Sequence, residues 1–177
     1  ISAKSIKYPV NTSFNNKTSK KDVLILMSGG RTRVNNYEDI ITTFLDNQSL
    51  KNIQIDWKYH KTSTKSQFKA MNHQYNMMKD YYKKDISLIN PNIKLIDIMS
   101  DYKILGFTTW TTGIFEAALS NIPFFIYTKE NYNIGAFSNI DMPIADNIDD
   151  CINLIERKHH PYLRDIQNSL VNNSLIF

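Results

Sequence analysis

Residues 22–30, DVLILMSGG, decide the fold. Val23 to Met27 form an unbroken apolar run that stops at Ser28, Gly29 and Gly30. A strand with one wet face alternates apolar and polar residues, whereas a short continuous run marks a strand covered on both faces. Helices must then lie above and below it, and the sheet must be parallel.

The next segments repeat this theme. Asn36 is placed to cap a helix in which Tyr37, Ile40, Ile41, Phe44 and Leu45 form one apolar face. NIQIDWKYH (52–60) alternates, with Ile53, Ile55, Trp57 and Tyr59 on one side and Gln54, Asp56, Lys58 and His60 on the other. That pattern predicts a strand near the edge of the sheet, with one polar face. Thr64 and Gln67 make a capping box for a long helix carrying Phe68, Met71, Tyr75, Met78 and Tyr82 on its inner stripe. ISLIN (86–90) is a third strand, and Asn90 and Pro91 predict the N-cap and first position of a helix over PNIKLIDIMSDY. KILGFT (103–108) is a fourth strand, TTGIFEAALSN (111–121) a helix stopped by Asn121 and Pro123, and PFFIYT (123–128) a fifth strand. DMPIADN (141–147) adds a short sixth; Asn147 caps a helix with Ile148, Cys151, Ile152 and Ile155 on its stripe, and a last helix runs from Pro161 through Leu163, Ile166 and Leu170. Strands alternating with helices in this way predict a doubly wound parallel α/β sheet, Rossmann-like in type.

The chain has 177 residues, enough for one domain with a substantial core. Residues 1–21 are polar and aperiodic and read as a linker, which leaves 22–177 as the domain. No apolar run is long enough to span a bilayer, and a single cysteine, Cys151, excludes an internal disulfide. Cys151 falls in a helical pattern and reads as a small core residue. The net charge of +4 comes from scattered lysines rather than a dense patch interleaved with aromatics, which argues against nucleic acid and suits an anionic substrate or a membrane surface.

In open parallel sheets, ligands bind beyond the carboxyl ends of the strands. Ser28, Gly29, Gly30, Arg31 and Thr32 follow the first strand, His60 and Lys61 the second, Asn90 the third, Thr108 to Gly113 the fourth, and Thr128 to Glu130 the fifth. SGGRTR allows close backbone approach, and Arg31 and Arg33 can pair with phosphate or carboxylate; a tight turn with solvated arginines is the other reading. It matches neither the dinucleotide fingerprint nor the P-loop. His60 is either a surface histidine at a strand terminus or a group with proton and anion chemistry near neutral pH. His73 reads as a packing or surface residue, and His159 and His160 lack further ligands at metal spacing and read as a turn. Thr111, Thr112 and Gly113 open a helix where free amides favour a phosphate, and Glu116, one turn on, can accept two hydrogen bonds from a ribose diol. The competing reading is an ordinary N-cap with Glu116 complementing the helix dipole.

SDYKILGFTTWTTGIFEAALSNIPFFIYT (100–128) resembles the core of the carboxy-terminal, donor-binding domain of GT-B glycosyltransferases of bacterial surface polysaccharide synthesis. The matching positions are Asp101, the hydroxyl pair Thr111 and Thr112, the pair Glu116 and Ala117, and the segment carrying Asn121, Pro123 and Phe125. KYHK (58–61) is similar to the K-x-HP element of polysialyltransferase-like and glycerophosphate-transferase-like members, with Lys61 in place of proline and Asn121 in place of a usual glycine. The resemblance covers roughly Asp22 to Arg157 and implies one half of a GT-B fold, with another Rossmann-like domain preceding it. It also implies a nucleotide-sugar as donor substrate, a glycan or lipid-linked acceptor, and a cytoplasmic enzyme associated with the inner face of the membrane. His60 would help neutralise the departing nucleotide phosphate, and Gly29, Gly30, Arg31, Thr111, Thr112, Gly113 and Glu116 would hold the donor. No Asp-x-Asp pair appears in the sequence, so no metal is required, and no further cofactor is expected. Sugar-nucleotide epimerases and hydrolases share much the same domain, and a noncatalytic nucleotide- or partner-binding module is the remaining alternative.

Overall fold

The computed structural model describes residues 20–27, 43–44, 46–47, 50, 52–59, 69, 72–73, 76, 80, 87–128 and 139–172. Six strands form one sheet: β1 (Lys21–Met27), β2 (Ile55–Tyr59), β3 (Ser87–Ile89), β4 (Tyr102–Phe107), β5 (Phe124–Tyr127) and β6 (Ile144–Ala145). All pairings are parallel, in the order β3-β2-β1-β4-β5-β6. The helices described over their whole length are α1 (Leu95–Ile98), α2 (Gly113–Leu119), α3 (Ile148–Glu156) and α4 (Tyr162–Asn172). The predicted doubly wound α/β class is therefore the observed one.

The continuous apolar run of β1 has the expected consequence. Val23 and Ile25 join a core with Phe44, Trp57, Tyr59, Ile104, Phe125 and Cys151 on one face of the sheet. Leu24 joins Leu105, Phe107, Ile114, Ala117, Phe124, Tyr162 and Ile166 on the other. Phe44, helical in backbone, sits edge-on to Trp57 and Tyr127. The chain winds from β1 to β2 over the first face and from β3 through α1 to β4, and on through α2, over the second, as right-handed crossovers require. Gly106 lies at the centre of β4, where a Cβ would come within 2.6 Å of both Ile25 and Phe125, so only glycine lets these side chains close over the strand.

Helix α2 ends as a Schellman motif. The Ile122 amide donates to Ala117 O and the Asn121 amide to Ala118 O. Asn121 has φ of 54°, the left-handed region that favours glycine and tolerates asparagine, which explains the asparagine at this position. Next to it, Tyr162 of α4 anchors the start of β5, its hydroxyl donating to Phe124 O and accepting from the Phe124 amide. Gln167 Nε2 of α4 also donates to Ala118 O, so α4 seals α2 to the sheet.

Two expectations need correction. The polar side of β2 does not face water: Asp56 is 0% and Lys58 5% exposed. Asp56 Oδ2 instead accepts from Lys21 Nζ at 2.7 Å and from the Tyr102 hydroxyl at 2.6 Å, drawing together the starts of β1, β2 and β4. Its other oxygen, Oδ1, has no hydrogen-bond partner among the described residues, while the Ser87 hydroxyl also contributes to holding the carboxyl charged. Nor do Asn90 and Pro91 open a helix. Asn90 Oδ1 accepts from the Asn92 amide and its carbonyl from the Ile93 amide, closing a turn; Lys94 is extended, and α1 begins only at Leu95. The side-chain bond that would cap a helix is spent on a turn, a local competition characteristic of asparagine. The long helix expected from Thr64 lies outside the described residues except at Lys69, Asn72, His73, Asn76 and Asp80, which are helical; the Asn36 cap lies outside them as well.

Burial pushes the Asp56 carboxyl up, but the hydrogen bonds from Lys21, Tyr102 and Ser87 outweigh it and hold it below the usual aspartate range. Asp22 behaves alike, with Lys103 and the Gln54 amide outweighing its burial. A carboxylate whose folded pKa is depressed contributes stability above its unfolded pKa of about 3.9 and loses it as the pH falls through the folded value. Tyr102→Phe is expected to lower stability by about 2 kcal/mol at neutral pH, the order of a hydrogen bond to a charged group, with the difference shrinking below about pH 4. Urea unfolding at several pH values checks this. At the α2 terminus, Asn121→Ala should cost about 1 kcal/mol and Asn121→Gly should not, as measured by thermal unfolding.

Candidate functional site

β1 and β4 are neighbours at the sheet's centre, yet the chain leaves β1 toward β2 on one side and β4 toward β5 on the other. A sheet that reverses its winding at this point opens a crevice beyond the carboxyl ends of the two central strands. Thr108 begins the exit of β4 and is still tied to β1, its amide and hydroxyl both donating to Leu26 O. Thr109 beyond it is buried, and Trp110 stacks edge-to-face on Phe115 at 5.7 Å against the second core. Trp110 is therefore a packing residue that props the start of α2.

α2 opens differently from its predicted form. Helical pairing starts at Gly113, and Thr112 occupies the N-cap position without a side-chain cap bond. Thr111 Oγ1 accepts from the Gly113 amide at 2.9 Å, and the amides of Ile114, Phe115 and Glu116 are bonded to the carbonyls of Thr111 and Thr112. The Gly113 amide is thus already engaged. Its role is steric, since a Cβ there would press on Leu95, Phe107 and Thr111. Among the described residues, the groups left open at this turn are the Thr111 and Thr112 amides and the exposed Thr112 hydroxyl.

Glu116 follows one turn into α2. It is half-buried, and no described residue offers its carboxylate a hydrogen bond or a cation. Burial pushes its pKa above the usual glutamate range. A carboxylate that is desolvated but uncompensated costs free energy in the empty protein, and such groups concentrate at functional sites. Sequence reasoning singled out this residue, together with Thr111 and Thr112, as a candidate ligand contact.

It missed Lys58. Lys58 is buried near the carboxyl end of β2, its ammonium donating to Pro91 O at 3.1 Å and, weakly, to Tyr59 O at 3.4 Å. Burial pulls its pKa below the usual lysine range. The signal was an alternating strand with lysine at an inward position, and period alone does not say whether the polar face is wet.

Gly29, Gly30, Arg31 and His60 lie outside the described residues. His160 belongs to the opposite edge: its Nδ1 is 3.3 Å from the Tyr162 hydroxyl that anchors the start of β5. Asp101 precedes β4 and lies at that edge too. His73 is exposed on helical backbone, and Cys151 is buried in the core. Among the described residues no cluster of His, Cys, Asp or Glu is placed to hold a metal, and no helix is long and apolar enough to cross a membrane.

No protein-family model and no curated protein matches the sequence. Among solved structures, the fold is similar to a UDP-GlcNAc 2-epimerase of Methanocaldococcus jannaschii, crystallised with UDP-GlcNAc and UDP, at 15% identity and a TM-score of 0.55. The match covers 88% of this chain and 46% of the epimerase, so the chain spans about half the length of that enzyme. At this identity the likeness establishes the fold alone, a Rossmann-like α/β unit.

An acid whose folded pKa is raised destabilises the fold above that pKa, and the cost vanishes as the pH falls below the unfolded value of about 4.3. Glu116→Gln should therefore leave the melting temperature at neutral pH unchanged or raised, with the difference from wild type disappearing near pH 4. A lowered melting temperature at pH 7 would show that Glu116 has a structural partner.

Proposed function

We propose that this chain is the nucleotide-sugar-binding domain of a glycosyltransferase that builds a bacterial surface glycan. The observation that carries the reading is Glu116, a desolvated carboxylate without a partner among the described residues, set beside open threonine amides at the winding reversal of a parallel sheet. An acceptor-only group suits a vicinal diol, as in a ribose, and the Thr111 and Thr112 amides suit the phosphates attached to it. His60, two residues past Lys58 at the exit of β2, would neutralise charge growing on the leaving phosphate, an effect that lowers the barrier because that charge is larger in the transition state. A facing Rossmann-like half would bind the glycan or lipid-linked acceptor and supply the catalytic base.

A second reading, 2-epimerisation of a nucleotide-sugar, is favoured by the fold neighbour, which was crystallised with UDP-GlcNAc and UDP. The two chemistries share the donor site and differ in the fate of the bound sugar. Transfer needs an acceptor, while epimerisation interconverts the donor alone.

Calorimetry with UDP, CDP and CMP tests the shared part. Binding of at least one is expected, weakened about ten- to a hundredfold in Glu116→Ala, the scale of hydrogen bonds to a charged group. Absence of binding to all three by the wild-type chain would contradict the reading. Mass spectrometry of the full-length protein then separates the two chemistries: sugar transfer that needs an acceptor and is lost in His60→Ala supports the transferase, and acceptor-free epimer exchange supports the epimerase.

A further inference from the structure

The charged groups of this sheet divide by edge. At the amino edge, among the described residues, Asp56 is compensated by Lys21 and Tyr102, and Asp22 by Lys103. At the carboxyl edge Lys58 is 5% exposed and is met only by two carbonyls, Pro91 O and Tyr59 O. An ammonium has three donors, so one remains without an acceptor among the described residues. A neutral methylene chain would fill the same space without the cost of burying a charge.

The position is informative as well. Lys58 is in register with Leu26 of β1, and Leu26 with Phe107 of β4, so all three lie on one face. Gly113, at the start of α2, packs directly over Phe107. Two strand spacings of about 4.8 Å therefore separate the lysine's strand from the one that leads to Thr112 and Glu116. The contact with Pro91 O, in the turn that follows β3, shows that the side chain reaches toward the carboxyl edge rather than into the sheet.

We infer that Lys58 is an anion-binding residue of the crevice, holding its remaining donor and its charge for the phosphates of a nucleoside diphosphate whose ribose end lies at Glu116. This inference rests on the nucleotide reading above and adds the group that meets the phosphates from the β2 side. The two carbonyls aim the ammonium without neutralising it, and the anion supplies the compensation that the fold withholds. The same arrangement accounts for a lysine at an inward strand position where an apolar residue would be more stable.

The test uses the full chain and two probes, UDP and inorganic diphosphate, with binding measured by calorimetry and folding by melting temperature. Lys58→Met is expected to weaken both probes at least about tenfold while leaving the melting temperature unchanged or raised. Glu116→Gln is expected to weaken UDP and spare inorganic diphosphate. If Lys58→Met does not fold, Lys58→Gln keeps a donor for Pro91 O without the charge and is read in the same way. Undiminished diphosphate binding in the neutral variant overturns the inference, whether or not the melting temperature falls. A wild-type chain that binds diphosphate through Lys58 but binds no nucleotide overturns the nucleotide reading and leaves the anion site standing, and one that binds neither probe overturns both.

Discussion

A parallel strand cannot be joined to its neighbour by a tight turn, and the rest of this structure depends on that constraint. Each connection must carry the chain back across a face of the sheet, so both faces are covered and the middles of the central strands carry apolar residues on both sides. β1 is the first product of the constraint, with Val23 and Ile25 packed on one side and Leu24 on the other. The crevice is the second. Where winding reverses between β1 and β4, successive connections leave for opposite faces, and a crevice forms beyond the carboxyl ends of the two strands.

The same geometry separates stability from function along the strand direction. Lys21, Asp22, Asp56, Tyr102 and Lys103 knit the amino edge into paired charges and hydrogen bonds. Lys58 and Glu116 keep their charges unpaired among the described residues at the other end. One edge holds the strands in register, and in the proposed reading the other holds charge in readiness for a ligand. Proteins carry destabilising groups of this kind where a ligand will compensate them.

Much of the fold was legible because apolar period reports burial directly. The run Val23–Met27, the stripe around Cys151 and the stop at Asn121 and Pro123 each appear in the structure at the expected place. Pattern failed where a polar residue had a distant partner. Alternation put Asp56 on a polar side of β2 and could not show that this side is buried, because the hydroxyl that meets it, on Tyr102, is 46 residues away in sequence. Asn90 carried the chemistry of a helix cap and used it to close a turn. Tyr162 gave no local sign that it would anchor Phe124. In the site, Glu116 could be found from a carboxylate standing alone in an apolar helical turn. The engagement of the Gly113 amide by Thr111 could not, because hydroxyl rotamers are invisible in a sequence. Gly29, Gly30, Arg31 and His60 remain proposals that rest on sequence.

The central claim is that a phosphate-bearing ligand occupies the carboxyl edge between β2 and β4. Amide chemical-shift mapping of the labelled chain titrated with UDP tests it most directly. The account predicts the largest shifts at Thr111, Thr112 and Glu116 and around Lys58, with Asp22, Lys103 and His160 unmoved. Shifts centred on those last three residues, or no saturable shifts at the carboxyl edge, would contradict it.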